Sequence, residues 1–263
     1  MLSYKYKVKH FENNNNSKDD LLFVSELAYF EQGKAIKGGI PICWPWFGRD
    51  SENPDRQMHG FARNMLWQMD KTTALSNGET QVVLSLIDND ETIALWSHKF
   101  KLILDIKVGK TLSLSLRTEN TGQSKFKITQ ALHAYFSVDD IEKTQVKGLN
   151  DVYYLDKVTD AKEPKLQVGA ISVNQEVDRI YMDSPSELTL SQGKSKSEVT
   201  IKSTGSKTTV VWNPWIDICK QSADLSDEAY RQFICVETAN ADGDYRVLNE
   251  GQSHILGVLI GRI

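Results

Sequence analysis

The sequence predicts an all-β fold, a large antiparallel β-sandwich with very little helix. Three observations carry this: apolar residues alternate with polar ones over many short runs, turn pairs separate the runs, and helical periodicity is almost absent. The clearest run is Phe100, Leu102, Leu104, Ile106 and Val108. After Gly109-Lys110, a hairpin turn, Leu112, Leu114 and Leu116 alternate with Ser113 and Ser115. Similar runs occupy 81–87, 126–131, 187–190, 198–203, 208–212, 233–237 and 254–260. Asn77-Gly78, Thr121-Gly122, Gln192-Gly193, Thr204-Gly205 and Asp242-Gly243 mark turns. The one helix expected is a turn or two over 225–232, with Ser226 as N-cap ahead of Asp227 and Glu228. Many strands with so little helix imply sheets packed face to face. With no internal repeat and no linker, residues 1–263 read as one domain, and the 13–20 run N-N-N-N-S-K-D-D as one exposed turn.

Composition narrows the function. A net charge of −4 with basic residues spread along the chain disfavours nucleic acid or an anionic membrane as partner, since both need a clustered basic face. No apolar run spans a bilayer, and the N-terminus lacks the apolar block of a signal peptide, so the Asn15-Asn16-Ser17 sequon carries no meaning. Three widely spaced cysteines (Cys43, Cys219, Cys235) argue against a disulfide framework and for a reducing compartment. A cytoplasmic, monomeric protein is expected. Gly109-Lys110-Thr111 and Gly193-Lys194-Ser195 lack the earlier glycine and the helix of a phosphate-binding loop. No zinc, nucleotide or serine-hydrolase motif is present.

Chemistry is expected where the alternation breaks. His133, in T-Q-A-L-H-A-Y-F-S-V-D-D, follows a strand-like run, and a histidine fixed on a sheet can donate a proton near neutral pH. Residues 37–48, K-G-G-I-P-I-C-W-P-W-F-G, form a rigid aromatic turn that either faces a sugar ring or plugs one end of the sandwich. In M-H-G-F-A-R-N-M-L-W, Arg63 lies among apolar residues and needs an anion, either an internal carboxylate or a ligand such as phosphate. His59, beside Gly60, reads on its own as structural. Glu237, inside F-I-C-V-E-T-A-N, is either half of a buried ion pair, with Arg63 as one partner, or a general base. Asp178-Arg179 has the same two readings, with a surface pair the commoner one.

Taken together, K-G-G-I-P-I-C-W-P-W-F-G, H-G-F-A-R-N, A-L-H-A-Y-F, D-R-I-Y, V-W-N-P-W and C-V-E-T-A resemble, in order and over most of the chain, the hexose-6-phosphate mutarotases. These are the glucose-6-phosphate 1-epimerase branch of the aldose 1-epimerase group. The resemblance implies a galactose mutarotase-like supersandwich with a cleft on the concave face of the larger sheet, a phosphosugar substrate, and no metal or other cofactor. It implies that His133 and Glu237 are the catalytic pair, that Arg63 holds phosphate and that Asp178 binds sugar hydroxyls. Lys37 and Met58 stand where some relatives carry arginine and glutamine, which places them, with His59, among the substrate-binding positions.

Anomer exchange opens the hemiacetal ring: a base takes the C1 hydroxyl proton while an acid protonates the ring oxygen, and reclosure reverses both. The expectation is Glu237 as base and His133, protonated at rest, as acid, the two titrating together. Two other classes fit the same residues. A non-catalytic carbohydrate-binding protein would use the aromatic turns alone, and a glycosidase would use Asp178 with Glu237 as its two carboxylates.

Overall fold

The protein, described here by a computed structural model, is defined over residues 20–159, 162–192 and 198–262. The 13–20 run other than Asp20, with its sequon, and Gly193-Lys194-Ser195 lie outside the described residues. Among the described residues, two large antiparallel sheets dominate, as the alternating pattern requires. The nine-stranded sheet runs in the order Ile171–Ser172, Gln145–Lys147, Glu187–Ser191, Val199–Thr204, Ser253–Arg262, Thr111–Asn120, Phe100–Val108, Thr80–Ile87, Gln68–Ala74. The eight-stranded sheet runs Ile42–Cys43, Gln130–Leu132, Phe233–Asn240, Thr208–Asn213, Val177–Met182, Tyr153–Asp156, Lys165–Leu166. Tyr135–Ser137 pairs with the start of Phe233–Asn240.

The expected run 126–131 is two strands. Phe126–Ile128 joins a small sheet with Arg246–Leu248, and Gln130–Leu132 joins the eight-stranded one. The switch falls at Thr129, whose N–H donates to the Pro45 carbonyl and whose hydroxyl accepts from Phe47 N–H. The expected helix over 225–232 is instead one 3-10 turn, Ala229–Gln232, entered without a side-chain cap; Ser226 accepts from Ala229 N–H through its carbonyl. The α-helices are Asp90–Leu95 and Trp215–Gln221, too short for their periodicity to register in the sequence. Asn89 and Thr92 form a capping box that holds the first of them. None of the described helices is long and apolar enough to cross a membrane.

Period-2 alternation gives each sheet an inner and an outer face. Phe100, Leu102, Leu104, Leu116 and Leu256 from the larger sheet share one buried cluster with Tyr181, Val211, Ile234 and Val236 from the smaller. Each such side chain contributes roughly 1.5–3 kcal/mol of burial. On the other face of the eight-stranded sheet lies a smaller cluster, Cys43, Ala131, Ile180, Val210 and Ala239, with Phe47 and Leu155 packed against it. Glu237, registered opposite Val210, shares that face, so it stands on the eight-stranded sheet and not on the larger one, where the cleft was expected.

The loop over this face is set by backbone contacts that admit no side chain. Gly60 adopts φ 69°, and the Trp44 carbonyl accepts from both Phe61 and Ala62 N–H. A Cβ on Gly60 would stand 1.9 Å from that carbonyl oxygen. Gly60→Ala therefore moves the backbone that carries His59. We expect a fall of several degrees in thermal midpoint, read by circular dichroism, for a cost on the order of 2 kcal/mol or more; an unchanged midpoint would refute this account of the loop.

Candidate active site

Glu237 lies in the middle of Phe233–Asn240, a strand buried along its whole length, and is itself 1% exposed. Two strands away in register, Val177–Met182 presents Asp178 on the same face, with Trp212 between them: Asp178 pairs with Trp212, and Trp212 with Cys235. On the opposite side, His133 follows Gln130–Leu132, and its N–H donates to the Pro41 carbonyl. The Gly38-Gly39-Ile40-Pro41 segment runs beside it because Gly39 accepts from Tyr135 N–H, and a Cβ on Gly38 would meet Phe23 backbone at 2.5 Å. Topology thus brings residues separated by about a hundred positions to one spot.

There His133 Nε2 lies 3.3 Å from Glu237 Oε1. Tyr135, two residues on, stacks on the imidazole at 4.8 Å and 12°, and Trp212 stands edge-on to it at 5.9 Å. Among the described residues, His133 Nδ1 and Glu237 Oε2 are buried without a hydrogen-bond partner. The arrangement is a base and an acid in contact, each with one polar atom unused.

Burial favours the neutral form of both groups. It pushes the Glu237 carboxyl well up, helped by the Asp178 charge and opposed by Arg63, and pushes His133 well down, helped by His59, Arg63 and Lys37. The expected resting imidazolium is therefore not the favoured state. Burial thus favours a protonated carboxyl beside a neutral imidazole. Burial also raises the Cys43 thiol to about 12 and Cys235 well above its usual range, so neither is a nucleophile.

The other expected residues divide. His59 has φ 67°, accepts from Gly48 N–H at Nδ1 (3.3 Å), and packs against Phe47 and His133 at ring distances of 4.9 and 5.7 Å. Burial first, then Arg63 and Lys37, lower its pKa to about 3. It is thus a neutral imidazole whose proton is on Nε2, a hydrogen-bond donor beside the pair. Arg63 does not pair with Glu237. Its Nη2 donates to the Met58 carbonyl at 2.9 Å, its Nε is buried without a partner, and no carboxylate among the described residues lies within 4.0 Å. Met58 offers that carbonyl while its side chain is 44% exposed. Lys37 is half-buried and meets Asp224 at 3.5 Å. Asp178 does not pair with Arg179, which turns to Gln167 and Tyr181. Burial raises Asp178 to about 6, against the pull of Lys157 and with Glu176 and Asp156 adding to it.

The tryptophans of the aromatic turn form the buried plug. Trp44 packs against Phe61, Trp96 and Phe100, while half-buried Phe47 packs against the small cluster on the face that carries Glu237. Tyr135, Asp224 and Trp212 were not among the expected site residues. Tyr135 was within reach, being two residues from His133 on a strand-like run. Asp224 stands in a polar loop with no local signal. Among the described residues, no cluster of three or more His, Cys, Asp or Glu is placed to hold a metal ion.

The sequence profile of the family Aldose 1-epimerase matches residues 7–260. Proteins named "putative glucose-6-phosphate 1-epimerase" from Escherichia coli and Cenchrus ciliaris are 34% and 36% identical, each over 90% of this chain and over 78% and 73% of their own lengths. The crystal structure of a "putative mutarotase" from Salmonella typhimurium superimposes with a TM-score of 0.86 at 30% identity, covering 94% of this chain and 81% of that one. A Synechocystis protein, Slr1438, at 17% identity and TM-score 0.79, shares the fold. These relationships favour an isomerase over a sugar-binding protein without catalysis and over a glycosidase. The chain belongs to the aldose 1-epimerase family.

Proposed function

We propose that this enzyme interconverts the α and β anomers of a hexose 6-phosphate. The observation that carries the reading is the buried His133–Glu237 contact at 3.3 Å, with two cations whose fields reach it. Opening a hemiacetal needs one group to accept a proton and one to give it, and a pair that shares a single proton supplies both. In the proposed cycle the proton passes from Glu237 to His133. The carboxylate then takes the C1 hydroxyl proton and the imidazolium protonates the ring oxygen. Each contributes roughly 10²–10⁴-fold.

Arg63 and Lys37 would take the phosphate. An arginine with a buried, unpaired Nε is a fork short of an acceptor, which a phosphate oxygen completes. A phosphate dianion there would also cancel part of the positive field that helps to keep His133 neutral, so the substrate itself would favour charging the acid. Asp178, on the far side of Trp212, would orient hydroxyls, and the His59 Nε2–H would donate to an oxygen near C1. Met58 would act through its carbonyl by holding Arg63. We take the enzyme to work as a cytoplasmic, single-domain monomer on the free phosphosugar.

Polarimetry of freshly dissolved α-glucose 6-phosphate, beside unphosphorylated glucose and galactose, tests the reading. Acceleration is expected for the phosphorylated sugar, and equal acceleration of the plain sugars would discard the phosphate site. His133→Asn and Glu237→Gln should each slow anomerisation by about 10²-fold or more with an unchanged circular dichroism spectrum; normal turnover in either would remove that residue from the mechanism.

Asp178 gives a separate test. A carboxyl with a folded pKa of about 6 and an unfolded value near 3.9 binds more protons folded than unfolded, so it costs stability as pH rises from about 4 through 6 and stays costly above. Asp178→Asn should therefore stabilise the protein at pH 8, by on the order of 1–2 kcal/mol given its partial contact with solvent. The gain should vanish near pH 4, while KM for the phosphosugar rises. Denaturant titrations at the two pH values, with no difference between them, would contradict the raised pKa.

A further inference from the structure

The groups assigned above hold a sugar phosphate by its edges: cations for the phosphate, Asp178 for hydroxyls, and the His133–Glu237 pair for the oxygens at C1. None of them meets the apolar C–H surface of a pyranose ring. Trp212 is placed to do so. Register puts it between Asp178 and Cys235, on the face that carries Glu237. Its preceding neighbours Val210 and Val211 are buried, whereas the indole itself is only half-buried. One part is anchored: it stands at 84° to His133 and 82° to Tyr135, with ring centroids 5.9 and 6.1 Å away, and leans on Phe233 at 5.8 Å. The remainder is a rigid apolar surface, held in orientation by three aromatic neighbours and flanked by a hydroxyl-binding carboxylate on one side and the proton-transfer pair on the other.

Building on the proposed function, we infer that Trp212 is the platform on which the sugar ring of the substrate lies. Sugar sites combine apolar or aromatic walls with a few placed polar groups, and this site has the polar groups already. The platform touches carbons that do not react, and it meets both anomers and the open chain alike. Its contribution is uniform binding, which appears in KM and leaves kcat largely alone. A wall that merely braced His133 would behave oppositely.

Saturation kinetics of glucose 6-phosphate anomerisation in Trp212→Leu and Trp212→Phe separate the two roles. Trp212→Leu should raise KM by about tenfold with kcat nearly kept, and Trp212→Phe should recover most of the loss, because it restores an aromatic face. A Trp212→Leu variant with unchanged KM, or with a lowered kcat and a shifted pH profile, overturns the platform. Fluorescence titration gives an independent readout: glucose 6-phosphate should change wild-type tryptophan emission, inorganic phosphate should not, and the change should be absent from Trp212→Phe. Should the wild-type enzyme fail to accelerate anomerisation, the functional reading fails by itself. The titration still decides on Trp212, since an emission change that survives Trp212→Phe, or is absent from wild type, rejects it. Melting curves show whether Trp212→Leu folds, and Trp212→Phe carries the test where it does not.

Discussion

A carboxyl and an imidazole buried against each other in the middle of a sheet set the terms for everything around them. Taking an isolated charge into such a place costs several kcal/mol, so the groups persist there by staying neutral and sharing a proton. Their surroundings enforce this. Tyr135 covers one face of His133, Cys43 and Cys235 offer thiols that stay protonated, and the cations Arg63 and Lys37 act as a field without forming an ion pair with Glu237. In the proposed function, this pair is the reservoir that the substrate's phosphate tips towards charge separation.

The nine-stranded sheet makes that site affordable. Its buried leucines and isoleucines, together with the inner face of the smaller sheet, supply the large apolar cluster, so the outer face of the smaller sheet need not be optimised for stability. That face can carry Ala131, Ala239 and Cys43, small side chains packed around Glu237. Adjacent strands about 4.8 Å apart then space the functional groups: Asp178, Trp212 and Glu237 occupy three neighbouring strands, and His133 follows the fourth.

Most of the sheet architecture was legible in the sequence because alternation is a local signal and the inner rows obey it. Phe100–Val108 and Thr111–Asn120 read as strands at sight. The split at Thr129 was not legible, since it depends on the distant loop at Pro45 and Phe47, and the short helices were invisible because six or seven residues do not establish a period. At the site, Glu237 and Arg63 stood out as charges in apolar runs, and two partners were open for Glu237, Arg63 as an ion pair and His133 as a proton-transfer pair. The fold turns His133 to the carboxyl and leaves the guanidinium on a backbone carbonyl. The resting charge state was misread: a neighbour's charge can be guessed from sequence, but the degree of burial that outweighs it cannot.

Phe233–Asn240 has consequences beyond catalysis. Its even-numbered residues Ile234 and Val236 belong to the core between the sheets, and its odd-numbered residues Glu237 and Ala239 point to the other face. A slip of one residue would exchange the two sets, driving a carboxyl into the core between the sheets and turning Val236 to the other face. The carboxyl proposed as the catalytic base therefore also polices the pairing of the central strand. Misregistered chains are penalised by the same group whose correct placement defines an active enzyme, so a mispaired sheet has little chance of persisting as a stable, inactive impostor.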